Sequence, residues 1–178
     1  MRPPARRSAA AAMIADPPAT GRALAELYAA SEPALWRDLA ESILPSAALA
    51  PRLRREWECL ALYACLRGLV AAGGFGEPTE RAIEALHAAV YERWAAEPVA
   101  GETLESRRAR VTARYEAFGR LAREADASGR TSPSFGLHAA QCAAPDGVAD
   151  PDLAGLLGDL HEMLAEGAAE TVRRAELS

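Results

Sequence analysis

Lysine is missing altogether: all 20 basic residues of the 178-residue chain are arginine, the mark of a GC-rich coding sequence rather than of a chemistry. Cysteine is scarce. The three thiols, Cys59, Cys65 and Cys142, make no Cys-x-x-Cys pair, so neither a zinc site nor a dithiol redox pair is suggested. They read as inert core thiols in a reducing cytosol. β-branched residues are few, and the apolar half of the composition is mostly Ala and Leu, which favours helix over sheet. Net positive charge is lacking too. A balance of −5 speaks against a general nucleic-acid binder, which needs a basic surface to neutralise phosphates.

Catalytic signatures are equally sparse. There is no Gly-x-Ser-x-Gly elbow, no dinucleotide-binding glycine fingerprint and no His-Glu-x-x-His. The Gly73-Gly74-Phe75-Gly76 loop runs into a helix start, but no Gly-Lys-Ser/Thr follows. Glu77 and Glu80 bring negative charge where a phosphate would sit, so the loop reads as a turn between antiparallel helices. No fixed-period repeat and no helix-turn-helix signature stands out. These absences predict a protein without catalytic residues, without a cofactor and without a nucleic-acid or membrane role.

What the chain does have is a run of apolar residues at its middle, Cys59 to Ala72, with Arg67 as its single charge. Before Cys59 the pattern is amphipathic: Leu53, Trp57, Leu60, Ala61 and Ala64 share a side, while Arg54, Arg55 and Glu58 fall away from it. After Cys59 apolar residues point in every direction, as in a helix buried all round. A membrane span is the competing reading. Arg67 at mid-run costs it roughly 2.5–3.5 kcal/mol, and Ala and Gly contribute little insertion energy. The expectation is therefore an all-α, single-domain bundle of five to seven helices around a central helix at about 51–72. Trp57 and Leu66 are its expected core anchors. Arg67 is expected to reach the surface or meet a carboxylate of a neighbouring helix, with an anion-binding role as the functional alternative.

Around that centre the flanking segments are amphipathic. Residues 1–20 are expected to be a disordered extension, with Met13 an alternative start. Their Ala-rich run makes a poor signal-peptide core. Residues 21–178 form the expected bundle domain. Leu24, Leu27 and Tyr28 stripe a first helix. Ser31-Glu32-Pro33 reads as a cap opening a second, striped by Leu35, Trp36, Leu39 and Ile43. A helix over about 79–96 carries Ile83, Leu86, His87, Val90, Tyr91 and Trp94. Another, over about 103–127, carries six arginines interleaved with acids, expected to form a solvated, charge-paired face. Asp150-Pro151-Asp152 is a strong helix start. The near-heptad stripe Leu153, Leu157, Leu160, Leu164 that follows packs against helices inside the fold or of a second copy.

The only metal-like spacing is weak. Glu84-x-x-His87 puts a carboxylate and an imidazole one turn apart, as helical di-metal proteins do, but the residue three before His161 is Gly158, so a second pair is missing. Two function classes follow, beside a third reading in which a helical regulatory domain holds a small apolar molecule in its core next to Arg67. One is a non-enzymatic cytoplasmic protein acting through contacts: an adaptor, small subunit or self-associating bundle, with a protein partner or second copy met through the C-terminal helix at about 151–176. The alternative is a metal- or small-ligand-binding bundle, extending to a carboxylate/His oxidoreductase, around Glu84, His87, Glu58 and His161.

Overall fold

The computed structural model describes residues 14–43, 46–126 and 132–175. Every regular element among them is a helix: α1 (Pro17–Ile43), α2 (Ala50–Gly73), α3 (Glu77–Ala96), α4 (Leu104–Asp126), α5 (Ser132–Ala143) and α6 (Pro151–Ala175). The helix ends follow their local chemistry. Asp150 accepts the amides of Asp152 and Leu153 to start α6. Thr103 and Ser106 cap one another's amides ahead of α4. Gly74, at φ 71°, returns its amide to the Val70 carbonyl and closes α2.

α2 is the hub and packs on each of the other five helices. Leu53, Trp57, Leu60, Leu62, Cys65 and Leu69 are fully buried along it. One edge stays open. Leu66, expected as a core anchor, is only half-buried, and Ala71 is exposed. Among the described residues no helix is long and apolar enough to cross a membrane. The stripe on α6 is used inside the fold: Leu153, Leu157, Leu164, Ala168 and Val172 are buried against α2, α5 and α1.

Three glycines let helices touch backbone to backbone. A Cβ on Gly21 would stand 2.4 Å from the Ala82 carbonyl of α3, one on Gly68 2.3 Å from that of Ala165 on α6, and one on Gly136 2.2 Å from that of Ala154 on α6. No side chain fits at any of the three, so the α1–α3, α2–α6 and α5–α6 crossings each depend on a residue without one.

Two expectations are corrected. The N-terminal region forms one helix, not two, and α1 runs through Pro33. A proline inside a helix costs about 3 kcal/mol. Here its ring is exposed, and α2 grips the helix beside it: the Trp57 indole donates to the Glu32 carbonyl at 3.1 Å, and Arg54 pairs with the Glu32 carboxylate. The boundary of the extension also moves. Residues 1–13 lie outside the described residues, but 14–20 belong to the bundle. Ile14 is 4% exposed and lies over Gly73, and Asp16 caps α1 through the Ala19 amide. Ile14→Ala should therefore lower the unfolding free energy by about 2 kcal/mol in urea titrations. An unchanged midpoint would return this segment to the extension.

Candidate functional site

The arginines of α4 recur at 107, 110 and 114, a spacing that stacks them on one helix face. That face lies on α2, where Glu56 and Glu58 are buried. Glu58, 6% exposed, accepts Arg107 Nη2 at 3.2 Å on one oxygen, and Arg110 Nη2 lies 3.5 Å from the other. Glu56 takes Arg114 in a two-pronged pair at 2.5 and 2.7 Å. Glu102, in the turn before α4, binds Arg110 and Arg55 and stands 4.0 Å from Arg107 Nε. The solvated face expected for this helix is thus corrected at three of its six arginines. Arg107 is 5% exposed, and its guanidinium lies 4.0 Å from the centre of the Trp94 ring. Burial opposes the charge of Glu102, but the hydrogen bond and charge of Arg110, with Arg55 and Arg107, outweigh it and hold the carboxyl below its usual range. The hydrogen bond that Arg114 donates to Glu56 holds its guanidinium charged well above its ordinary value.

The enclosed part of this network balances: Arg107 and Arg110 meet Glu58 and Glu102, while Arg55, which also reaches Glu102, is half-exposed to solvent.

A cleft of about 400 Å3 opens onto the network between α1, α2, α3 and the turn that precedes α4. Tyr28, Glu32, Arg54, Trp94, Val99 and Arg107 are on its wall. Tyr28 is 3% exposed, and its hydroxyl has no hydrogen-bond partner among the described residues. Burial, and then the charge of Glu58, push its phenol well above the ordinary value, so it remains a protonated donor. The Arg107 Nε–H also lacks an acceptor within hydrogen-bond distance. Ala29, on the same wall, has its carbonyl four residues before Pro33, which carries no N–H to offer it. Unmade hydrogen bonds of this kind cost about 1–3 kcal/mol each, and their concentration at one opening is the strongest functional signal in the molecule.

No family model, curated protein or solved structure matches this chain.

The residues singled out in the sequence do not converge. Glu84 is exposed, and the Tyr115 hydroxyl lies 3.0 Å from Nε2 of the half-buried His87. Glu58 belongs to the arginine network, and His161 lies on α6 behind the central helix. Among the described residues no three His, Cys, Asp or Glu side chains gather in a way that could hold a metal ion, so the di-metal arrangement around Glu84, His87, Glu58 and His161 is not assembled. Burial pushes the Cys59 and Cys65 thiols up to about 12, which keeps them from acting as thiolates.

Arg67 has partners on α6. Its Nη1 lies 3.4 Å from the Glu162 carboxylate and 3.0 Å from His161 Nε2, and its guanidinium lies over the Phe135 ring. His161 is fully buried, with Nδ1 3.2 Å from the Leu60 carbonyl. That oxygen can only accept, so Nδ1 carries the hydrogen and Nε2 accepts from Arg67. Burial first, and Arg67 second, lower the imidazole to about 4 from an ordinary 6.5. An unfolded chain would take up this proton near pH 6.5 and the folded protein only near 4. Stability should fall by about 3 kcal/mol across that interval through this residue alone. Urea unfolding from pH 7 to pH 4 should show that slope flattened in His161→Gln. An identical slope in both proteins would mean that the ring titrates normally.

Sequence reading missed Tyr28, Glu56, Glu102 and Arg107 as site residues. The signal available was the spacing of Arg107, Arg110 and Arg114. Three guanidiniums on one face of a helix imply carboxylates on whatever that face covers.

Proposed function

We propose that this chain is a non-catalytic binding protein, a helical bundle that holds a small molecule in the cleft beside Tyr28. The single observation that carries this reading is the buried Tyr28 hydroxyl without a partner. Natural cores satisfy such groups, and a ligand that accepts from it removes the cost of leaving it unmade. The wall around it supports binding rather than turnover, because its guanidiniums and carboxylates are paired with one another and no nucleophile stands beside a base.

Two measurements check this. Native mass spectrometry of protein purified from its own cell should show a bound mass of small-molecule size that denaturation releases and that Tyr28→Phe lacks. Tyr28→Phe should also raise the unfolding free energy of ligand-free protein by about 1 kcal/mol, because it removes an unsatisfied buried group without changing the packing. No bound mass, together with a destabilised variant, would assign the hydroxyl to the core.

A contact function, as adaptor, subunit or self-associating bundle, is the second reading. It is favoured by an apolar trough between α1 and α6, where Leu27, Ala34 and Leu35 face Leu164, Gly167 and the half-exposed Met163. Sedimentation velocity over a range of concentrations separates the two. A concentration-dependent mass that Met163→Glu abolishes supports contact; a constant monomer removes self-association, and a constant monomer that also co-purifies with no protein removes the contact reading.

A further inference from the structure

Away from the cleft, α5 carries a thiol and a base in contact. Cys142, expected in the core with the other two thiols, is only half-buried, and so is His138 one turn before it. Residues four apart on a helix share a face, and here the Cys142 Sγ lies 3.6 Å from His138 Nε2. The Phe118 ring meets the imidazole nearly at a right angle, with centroids 5.8 Å apart, and limits its turning. From this geometry we infer that Cys142 is a site of reversible S-thiolation, reacting with small disulfides while His138 takes its proton.

The chemistry is thiol–disulfide exchange. The Cys142 sulfur attacks one sulfur of R–S–S–R, and its proton passes to His138 Nε2. A Cys142–S–S–R bond forms as the reagent's own S–S bond breaks, and the departing thiolate takes the proton from the imidazolium and leaves as R–SH. Cys142 is oxidised, the reagent is reduced, and a second small thiol reverses the step. Three charged groups face the pair from neighbouring helices: Arg114 and Arg120 of α4 and Glu56 of α2. Burial first, and then Arg114, lower the imidazole from its ordinary 6.5, so near pH 7 the ring is neutral and able to accept. Burial outweighs Arg114 at Cys142 and holds its thiol above the ordinary value. The pair therefore rests as thiol and imidazole, and a thiolate appears only as the proton crosses. Cys59 and Cys65 are fully buried, out of a reagent's reach.

The test treats the native full chain with hydroxyethyl disulfide, an uncharged probe, and follows adducts by intact-mass spectrometry. One adduct per chain should form, map to Cys142 and come off with dithiothreitol. An unassisted thiol reacts about tenfold faster for each pH unit below its pKa, because only the thiolate attacks. Cys142 should instead react at a rate that changes less than about twofold from about pH 7 to about pH 8, since the same thiol–imidazole pair prevails throughout. His138→Gln should slow the reaction at neutral pH by about tenfold or more and restore the steep rise. Far-UV circular dichroism and the urea midpoint verify that this variant folds, and the wild-type pH profile tests the pair without it. A steep rise in wild type, or equal rates in folded His138→Gln, would overturn the role of the base. No adduct at Cys142, or adducts forming first at Cys59 or Cys65, would overturn the site.

Discussion

Glu58→Ala should lower the unfolding free energy by about 3–5 kcal/mol, read from the urea midpoint of the ligand-free protein. The carboxylate is buried and answers two guanidiniums, Arg107 and Arg110. Removing it leaves Arg107 inside the fold with Glu102 at 4.0 Å as its remaining counter-charge. The cost comes from the stranded cation more than from the lost bond, because desolvating both ions already consumes much of their mutual attraction. A control follows from the same physics. Glu58→Leu combined with Arg107→Met removes both charges and should be less destabilising than Glu58→Ala alone. A loss under about 1 kcal/mol for Glu58→Ala, as for an exposed pair, would show that water reaches this network.

Trp57→Ala should cost a similar amount, about 3–5 kcal/mol. Trp57 is fully buried where α1 and α2 meet, and it does two things there. Its rings fill core volume that alanine would leave empty. Its indole N–H also holds the Glu32 carbonyl, one residue before the proline that weakens α1. Trp57→Phe separates these roles: it keeps most of the volume, drops the donor and should cost nearer 1–2 kcal/mol. Thermal and urea unfolding of the two variants measure the difference. Equal losses would place the whole contribution in the hydrogen bond and make the packing argument wrong.

The helical architecture was legible because it is written in local terms. Ala- and Leu-rich segments carry 3.6-residue stripes, and Asp150-Pro151 and the Gly73–Gly76 loop mark ends that need no tertiary information. The apolar run at 59–72 announced a hub because few positions on it tolerate water. Pro33 misled for the same reason: locally it opens a helix, and only Trp57 and Arg54, contributed by α2, carry α1 through it. Ile14 misled because four prolines and an Ala-rich run around it look like a tail, whereas its burial depends on the bare backbone at Gly73.

The candidate site was illegible for a different reason. On a helical wheel Glu58 and Arg54 fall with the solvent-facing residues, and the α4 arginines look like a soluble exterior. Pairing two such faces buries both, and composition does not distinguish a charged face that meets water from one that meets its complement. Tyr28 shows the limit most clearly. It sits in an ordinary apolar stripe with Leu24 and Leu27, and nothing in that pattern says that its hydroxyl is buried without a hydrogen-bond partner.

The three side-chain-free crossings have a mechanical consequence. Gly21 fastens α1 to α3, while Gly68 and Gly136 fasten α6 to α2 and α5. The chain is thereby sorted into a stiff pair and a stiff trio, and the opening beside Tyr28 straddles the seam between α1 and α3 of the first and α2 of the second. A guest lodged there would touch both blocks at once, so breathing along that seam sets how fast it comes and goes.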